Sequence, residues 1–291
     1  MAVAAPLFLR DIVEFDRSTL HHEVVPVVRA PESGAGWREE YIGKRAASFA
    51  SASEALALGY SVLVLDDVAT AAECEALRRE ASGLAEAQRA AALAKGALPK
   101  DPERCRLPVL DHLGASGLAT YDAVLSRTCG AIARALPEFM DTLFGDCLDG
   151  ETCLNNDRLK FSPGEPAINV YRPGGSFRAH EDGESLSVVM PLNGAESFRG
   201  GGTAFWGPGQ DYPTYGGSGP NPVLRGPPPA FELTPKAGTA FLFVGSVTHS
   251  AHPVVAGERC VFVCSFSPAG RSWRTSQRLN AERAAAERAP S

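Results

Sequence analysis

His180-Glu181-Asp182, near the middle of the chain, sets an imidazole and a carboxylate two residues apart. In an extended strand the side chains alternate with a period of two, so both would face one side. A second imidazole from a neighbouring strand would complete a set of two nitrogens and one oxygen. Such a facial set holds Fe(II) and leaves open coordination positions for substrate and O2. Two downstream histidines compete for that place, His249 and His252. Three residues apart, they would face opposite ways in an extended segment. Arg259 opens a strand-like run that continues to Phe266. There it shares a face with Val261 and Val263, which aims a guanidinium into an apolar interior. A buried arginine without a partner is costly. Its planar donor fork matches a carboxylate in bidentate fashion, so a dicarboxylic cosubstrate is one partner. A protein acid in the neighbourhood of Glu258 is the other.

These residues lie where the chain reads as strand and turn. After Leu159, the runs Ala167 to Tyr171, Leu186 to Leu192, Thr203 to Trp206, Ala240 to Val244 and Arg259 to Phe266 are short and bounded by Gly and Pro. Upstream, Ser61 to Leu65 reads as a buried strand. Thr70 N-caps a helix from Ala71 to about Lys95, with Glu73 placed for a capping box. A second helix is expected from about Leu118 to Phe144, with Tyr121, Leu125, Cys129, Ile132, Leu136 and Phe139-Met140 at three- and four-residue steps. Two helices ahead of an antiparallel strand array predict an α+β protein with a mainly β core, a double-sheet barrel with helices on one face.

The remaining segments are less regular. Val24 to Val28 reads as a strand, Pro31 to Gly36 as a loop, and Ala46 to Ala57 as a small-residue helix or linker. Gly207 to Pro229 is dominated by Gly and Pro and is too long for a hairpin turn, which makes it a candidate lid. Tyr212 and Tyr215 within it, Trp206 at its root, and Arg172 beside the turn at Pro173 are the candidate substrate contacts. Gly200-Gly201-Gly202-Thr203 lacks the lysine of a phosphate loop and reads as close backbone packing. The tail from Arg271 to Ser291, rich in Ala, Arg and Glu, is expected to be helical. The domain reading is an N-terminal extension over 1–55, one catalytic domain over 56–270 (helices 70–145, barrel 160–268), and the tail over 271–291.

Composition narrows the classes. The 291 residues are 44% hydrophobic and 21% charged, which suits a globular protein with a full core. A net charge of −6 argues against a nucleic-acid footprint. Seven cysteines without a CxxC pair make neither a disulfide framework nor a zinc site and suit a reducing, intracellular and cytoplasmic setting. No apolar stretch has the roughly 20 residues that cross a bilayer. Met1 to Leu9 lacks a basic n-region, so no secretory leader is expected.

The ordered motifs resemble those of the Fe(II)/2-oxoglutarate-dependent dioxygenases, in the branch that includes the prolyl 4-hydroxylases. That branch reads a Tyr before a Pro-Gly turn, then HxD, a leucine-rich strand, a GG-bearing strand, and G-x-A-x-x-F…H-x-x-x-P-V-x-x-G-x-R. Here these are Tyr171, Pro173-Gly174, His180-Glu181-Asp182, Leu186 to Asn193, Phe198 to Phe205, and Gly238 through Arg259. The match spans about residues 160 to 268, and Tyr60 to Glu80 is similar to the branch's opening strand and helix. The resemblance implies a jelly-roll, or double-stranded β-helix, barrel. It implies iron on His180, Asp182 and His249, the last because the family's ligand sits four residues before the proline. It further implies 2-oxoglutarate on Arg259 and Tyr171, ascorbate as an accessory reductant, and O2 as the second substrate. The implied reaction is hydroxylation of an unactivated C–H bond in a peptide prolyl residue, a free amino acid or a small metabolite, with release of succinate and CO2. Relatives that halogenate lose the carboxylate that Asp182 supplies. Repair members carry an R-x-N-x-x-x-R strand, which Arg259-Cys260-Val261-Phe262 does not match. Val188-Val189-Met190 stand where branch members often place a hydroxyl-bearing aromatic.

Overall fold

The computed structural model describes residues 37–42, 51–96, 103–148, 153–206, 214–216, 223–225 and 227–270. Its helices are α1 (Ala52–Ala57), α2 (Ala71–Ala94), α3 (Val109–His112), α4 (Ala115–Ala135) and α5 (Pro137–Phe144). The first eight strands are β1 (Trp37–Tyr41), β2 (Ser61–Leu65), β3 (Arg104–Pro108), β4 (Leu159–Phe161), β5 (Ala167–Tyr171), β6 (Phe177–His180), β7 (Leu186–Pro191) and β8 (Phe198–Gly200). Then come β9 (Thr203–Trp206), β10 (Thr214–Gly216), β11 (Val223–Arg225), β12 (Phe231–Leu233), β13 (Ala240–Phe243), β14 (Thr248–Ala251), β15 (Val254–Gly257) and β16 (Arg259–Pro268).

Two antiparallel sheets do the positioning. The larger runs β1-β2-β13-β7-β16-β5-β3, with β4 also paired to β16, and the smaller runs β12-β9-β14-β6. The sheets meet through aromatic rings: Phe205 of β9 lies 5.9 Å from Phe241 and 5.4 Å from Phe243 of β13. Two short ribbons, β8 with β15 and β10 with β11, form no ladder with either sheet. The result is a mixed fold of helices and mainly antiparallel sheet, and among the described residues no hydrogen-bonded ladder joins the two sheets into a closed barrel. β1 lies ahead of residue 56 yet forms the edge of the large sheet, in register with β2 from Trp37↔Leu65 to Tyr41↔Ser61.

The period-two alternation of β16 divides its residues between two layers. Cys260, Phe262, Cys264 and Phe266 are all buried, and the rings face the helices. Tyr121 of α4 stacks on Phe262 at 3.8 Å between centroids and donates its hydroxyl to the Val263 carbonyl at 2.8 Å. Phe144 of α5 packs on Phe266 at 5.2 Å. Each such ring removes enough apolar surface from water to contribute roughly 1.5–3 kcal/mol. Helix α2 begins as its sequence predicts: the Glu73 amide donates to the Thr70 hydroxyl at 3.2 Å, and Glu73 accepts from the Thr70 amide at 2.8 Å.

Some expectations need correction. The single helix expected over 118–144 is two helices, α4 and α5, broken at Leu136 with φ −135° and ψ 67°. Pro137 disfavours the helical conformation in the residue before it and serves instead as a first helical residue. Gly207 to Pro229 is not one irregular loop, since it contains β10 and β11 paired from Thr214↔Arg225 to Gly216↔Val223. Helix α1 accounts for the second half of the Ala46 to Ala57 segment. The strand expected at Val24 to Val28, the loop at Pro31 to Gly36, Tyr212 and the tail from Arg271 all lie outside the described residues.

Candidate active site

Cross-strand register brings the distant residues together. β14 pairs with β6 so that His249 stands opposite His180, their ring centroids 4.3 Å apart. β6 ends at His180. Asp182 therefore stands just past the strand rather than within it, and still turns to the same side. His180 Nε2 lies 3.2 Å from Asp182 Oδ1, and His249 Nε2 lies 3.6 Å from Asp182 Oδ2. One ligand atom from each of the three falls within 4.8 Å of the others.

The donor set fits a divalent metal. His180 Nδ1 is 2.9 Å from the Arg178 carbonyl, and His249 Nδ1 is 3.1 Å from the Val247 carbonyl. A carbonyl only accepts, so each Nδ1 carries the proton and each Nε2 keeps its lone pair for a metal. Burial pushes the His249 imidazole down to about 4, against the attraction of Asp182, which keeps it the neutral ligand a cation needs. Burial opposes the charge on Asp182. The charge of the facing imidazoles in their protonated form, together with a bond from Ser187, outweighs that and holds its carboxyl well below the usual carboxylate range. Two neutral nitrogens and one carboxylate on a single face suit Fe(II) with positions left open.

His249 rather than His252 joins this cluster. His252 Nδ1 instead lies 3.1 Å from Glu232 Oε2, as expected for residues three apart in an extended segment.

A cleft opens from the three ligands toward Arg259. Val189, Val261, Val263 and Phe177 supply its apolar walls. Arg259 is 3% exposed, stands directly opposite Tyr171 across β16 and β5, and sits 5.6 Å from that ring's centroid. Its Nη2 donates to Thr203 Oγ1 at 2.8 Å. Among the described residues no carboxylate lies within 4.0 Å of it, and Glu258 is occupied by the Ser82 hydroxyl at 2.6 Å. Burial pushes the guanidinium's pKa down, with Tyr171 and Glu232 opposing, yet an arginine keeps its proton through such shifts. Gly201 explains the close approach. It has φ +72°, and a Cβ there would meet Arg259 Cδ at 3.2 Å and Val254 Cγ2 at 2.9 Å.

The candidate substrate contacts fare differently. Trp206 is fully buried beside Ala179 and Ala204, and its indole N–H donates to the Pro227 carbonyl at 2.9 Å. It does not line the cleft but anchors the root of the following segment. Arg172 is not part of the cleft lining either, because its guanidinium pairs with Glu86 of α2. Tyr215 belongs to β10, whose backbone lies beside β6, the strand of His180.

Several polar residues in the cleft escaped the sequence reading. Arg106 pairs with Glu165 at 2.6 Å, Glu165 also accepts from the Ser265 amide, and Asn169 Oδ1 finds no hydrogen-bond partner among the described residues. A buried acceptor left open in this way suits a polar ligand. The available signal was alternation, since Asn169 lies two residues before Tyr171 and Ser265 six after Arg259.

No protein-family model and no curated protein matches the chain. Solved structures do show likeness at low sequence identity. A Pseudomonas putida prolyl-4-hydroxylase is 18% identical with TM-score 0.41, covering 75% of this chain and 97% of the other. A viral collagen prolyl hydroxylase from Paramecium Bursaria Chlorella virus-1 is 17% identical with TM-score 0.38, covering 72% and 90%. HygX from Streptomyces hygroscopicus, solved with nickel, 2-oxoglutarate and hygromycin B bound, is 15% identical with TM-score 0.42, covering 72% and 83%.

Proposed function

We propose that the protein is an Fe(II)- and 2-oxoglutarate-dependent dioxygenase that hydroxylates an unactivated C–H bond, its two sheets being the halves of a double-stranded β-helix. One observation carries this reading: a His-Asp-His cluster and a buried arginine without an acidic partner among the described residues line the same cleft. His180, Asp182 and His249 hold the metal. Arg259 grips the distal carboxylate of the cosubstrate, oriented by Thr203 on one side and the Tyr171 ring on the other. Val189, Val261 and Val263 exclude water around it, which strengthens each polar contact. Iron with 2-oxoglutarate and O2 supplies the C–H oxidation, and the cosubstrate leaves as succinate and CO2. By the family resemblance, Asp182 fills the position that chloride takes in halogenating relatives, which favours hydroxylation.

The acceptor is a prolyl residue of a peptide or, alternatively, a free amino acid or small metabolite, approaching past β10 and its neighbours. The test is succinate release from 2-oxoglutarate with Fe(II) and ascorbate, over panels of prolyl peptides and metabolites, against His180→Ala. Iron-dependent turnover absent from both panels would reject the assignment. Full activity in Arg259→Ala would point to a metal enzyme that uses no 2-oxoglutarate.

A further inference from the structure

We propose that Ser187 is a positioning residue that fixes the orientation of the Asp182 carboxylate toward the metal, an inference that rests on the metal-centre reading above. Ser187 sits on β7, in a run of otherwise apolar residues from Leu186 to Met190, and is fully buried. Its hydroxyl donates to Asp182 Oδ2 at 2.5 Å, the shorter of its two hydrogen bonds. The second joins it to Ser265 Oγ at 3.1 Å, and the two serines stand directly opposite one another across β7 and β16. A hydroxyl has one proton and a carboxylate only accepts, so the Ser187 proton goes to Asp182 and Ser265 donates to Ser187. The pair of serines thus occupies one oxygen of Asp182. That oxygen, Oδ2, also lies 3.6 Å from His249 Nε2, while the other oxygen, Oδ1, lies 3.2 Å from His180 Nε2 and makes no bond to either serine.

The apolar alternative at this position, a valine like its neighbour Val189, would fill the strand equally well. It would leave Asp182 free to turn or to offer both oxygens at once. Groups that hold a metal ligand in place in this way commonly contribute 10- to 100-fold in metal affinity.

The experiment is Mn(II) titration of the metal-free protein, followed by electron paramagnetic resonance, with Co(II) absorption as a report on coordination. Ser187→Ala is expected to weaken Mn(II) binding by about 10- to 100-fold and to shift the Co(II) bands as the second carboxylate oxygen is released. Ser187→Thr keeps the hydroxyl and should stay within about threefold of wild type. Ser265→Ala, which keeps Ser187 but removes its donor, should show a smaller loss and carries the test should Ser187→Ala prove unstable in thermal unfolding. Wild-type affinity and spectrum in Ser187→Ala, or equal losses in the Thr and Ala variants, would overturn the proposal while leaving the metal centre intact. Binding that is absent from wild type, or unchanged in His180→Ala, would remove the metal centre itself and the role of Ser187 with it.

Discussion

Along β16, Cys260, Phe262, Cys264 and Phe266 look toward the helices, while Arg259, Val261, Val263 and Ser265 look into the cleft. On the helical side, burial drives titratable groups to their neutral forms: it pushes the Cys260 thiol up to about 12 and Cys264 well above its ordinary value. Those thiols act as small apolar fillers. On the cleft side, the Arg259 guanidinium stays charged although buried, and it faces the half-buried carboxylate of Asp182. Each has a placed hydrogen-bond partner, Ser187 at Asp182 and Thr203 at Arg259. Desolvating a charge is expensive. The same strand therefore spends its outer residues on stability and its inner residues on binding.

Substitutions can break that division, and the largest effect is expected at the ligands. His249→Ala should abolish Mn(II) binding, exceeding the roughly 10- to 100-fold loss typical of supporting residues, while unfolding in the metal-free state changes little. Phe262→Ala removes the ring under Tyr121 and should cost about 3–5 kcal/mol in denaturant unfolding. Protein that remains folded should still bind metal, so a lost metal site there would argue against two independent faces. Arg259→Ala should raise the KM for 2-oxoglutarate by roughly 30- to 150-fold, the equivalent of about 2–3 kcal/mol for a charge-assisted contact, with Mn(II) affinity unchanged.

The smallest expected effect lies in the helical layer. The Arg127 hydrogen bonds hold the Glu73 carboxyl down at about 2, below its ordinary 4.5, against the cost of burial. A depressed folded-state pKa contributes stability above the unfolded value, and that contribution is lost as pH falls from about 4.5 through about 2. Because the pair is partly exposed, solvent screening limits it to about 1 kcal/mol. Glu73→Gln should remove this acid-dependent component from unfolding curves and leave the cleft unaffected.

Much of this arrangement was legible in the residues. The strands at 61–65, 167–171 and 203–206 and the cap at Thr70 follow from local alternation and capping chemistry, which need no knowledge of distant neighbours. The pairing of His249 with His180 required the family motif, because register between strands far apart in sequence is a tertiary property. In the sequence, an aromatic beside a long segment such as Trp206 looks the same whether it meets a ligand or, as here, a proline carbonyl. Ser187 was missed because a serine in an apolar run carries no mark of the face it occupies until its strand is paired, whereas alternation from Tyr171 could have placed Asn169.

The anchors also differ in which sheet carries them. His180 and His249 belong to the four-stranded sheet, whereas Arg259 and Tyr171 belong to the larger one. A molecule held at one end by the metal and at the other by Arg259 would rivet the two layers together. Occupancy and folding would then be thermodynamically linked, and metal with 2-oxoglutarate at 100 times its Kd would add about 2.7 kcal/mol to resistance against unfolding. An assembly loosest when empty would then be guarded from heat and proteolysis by the cosubstrate proposed for it.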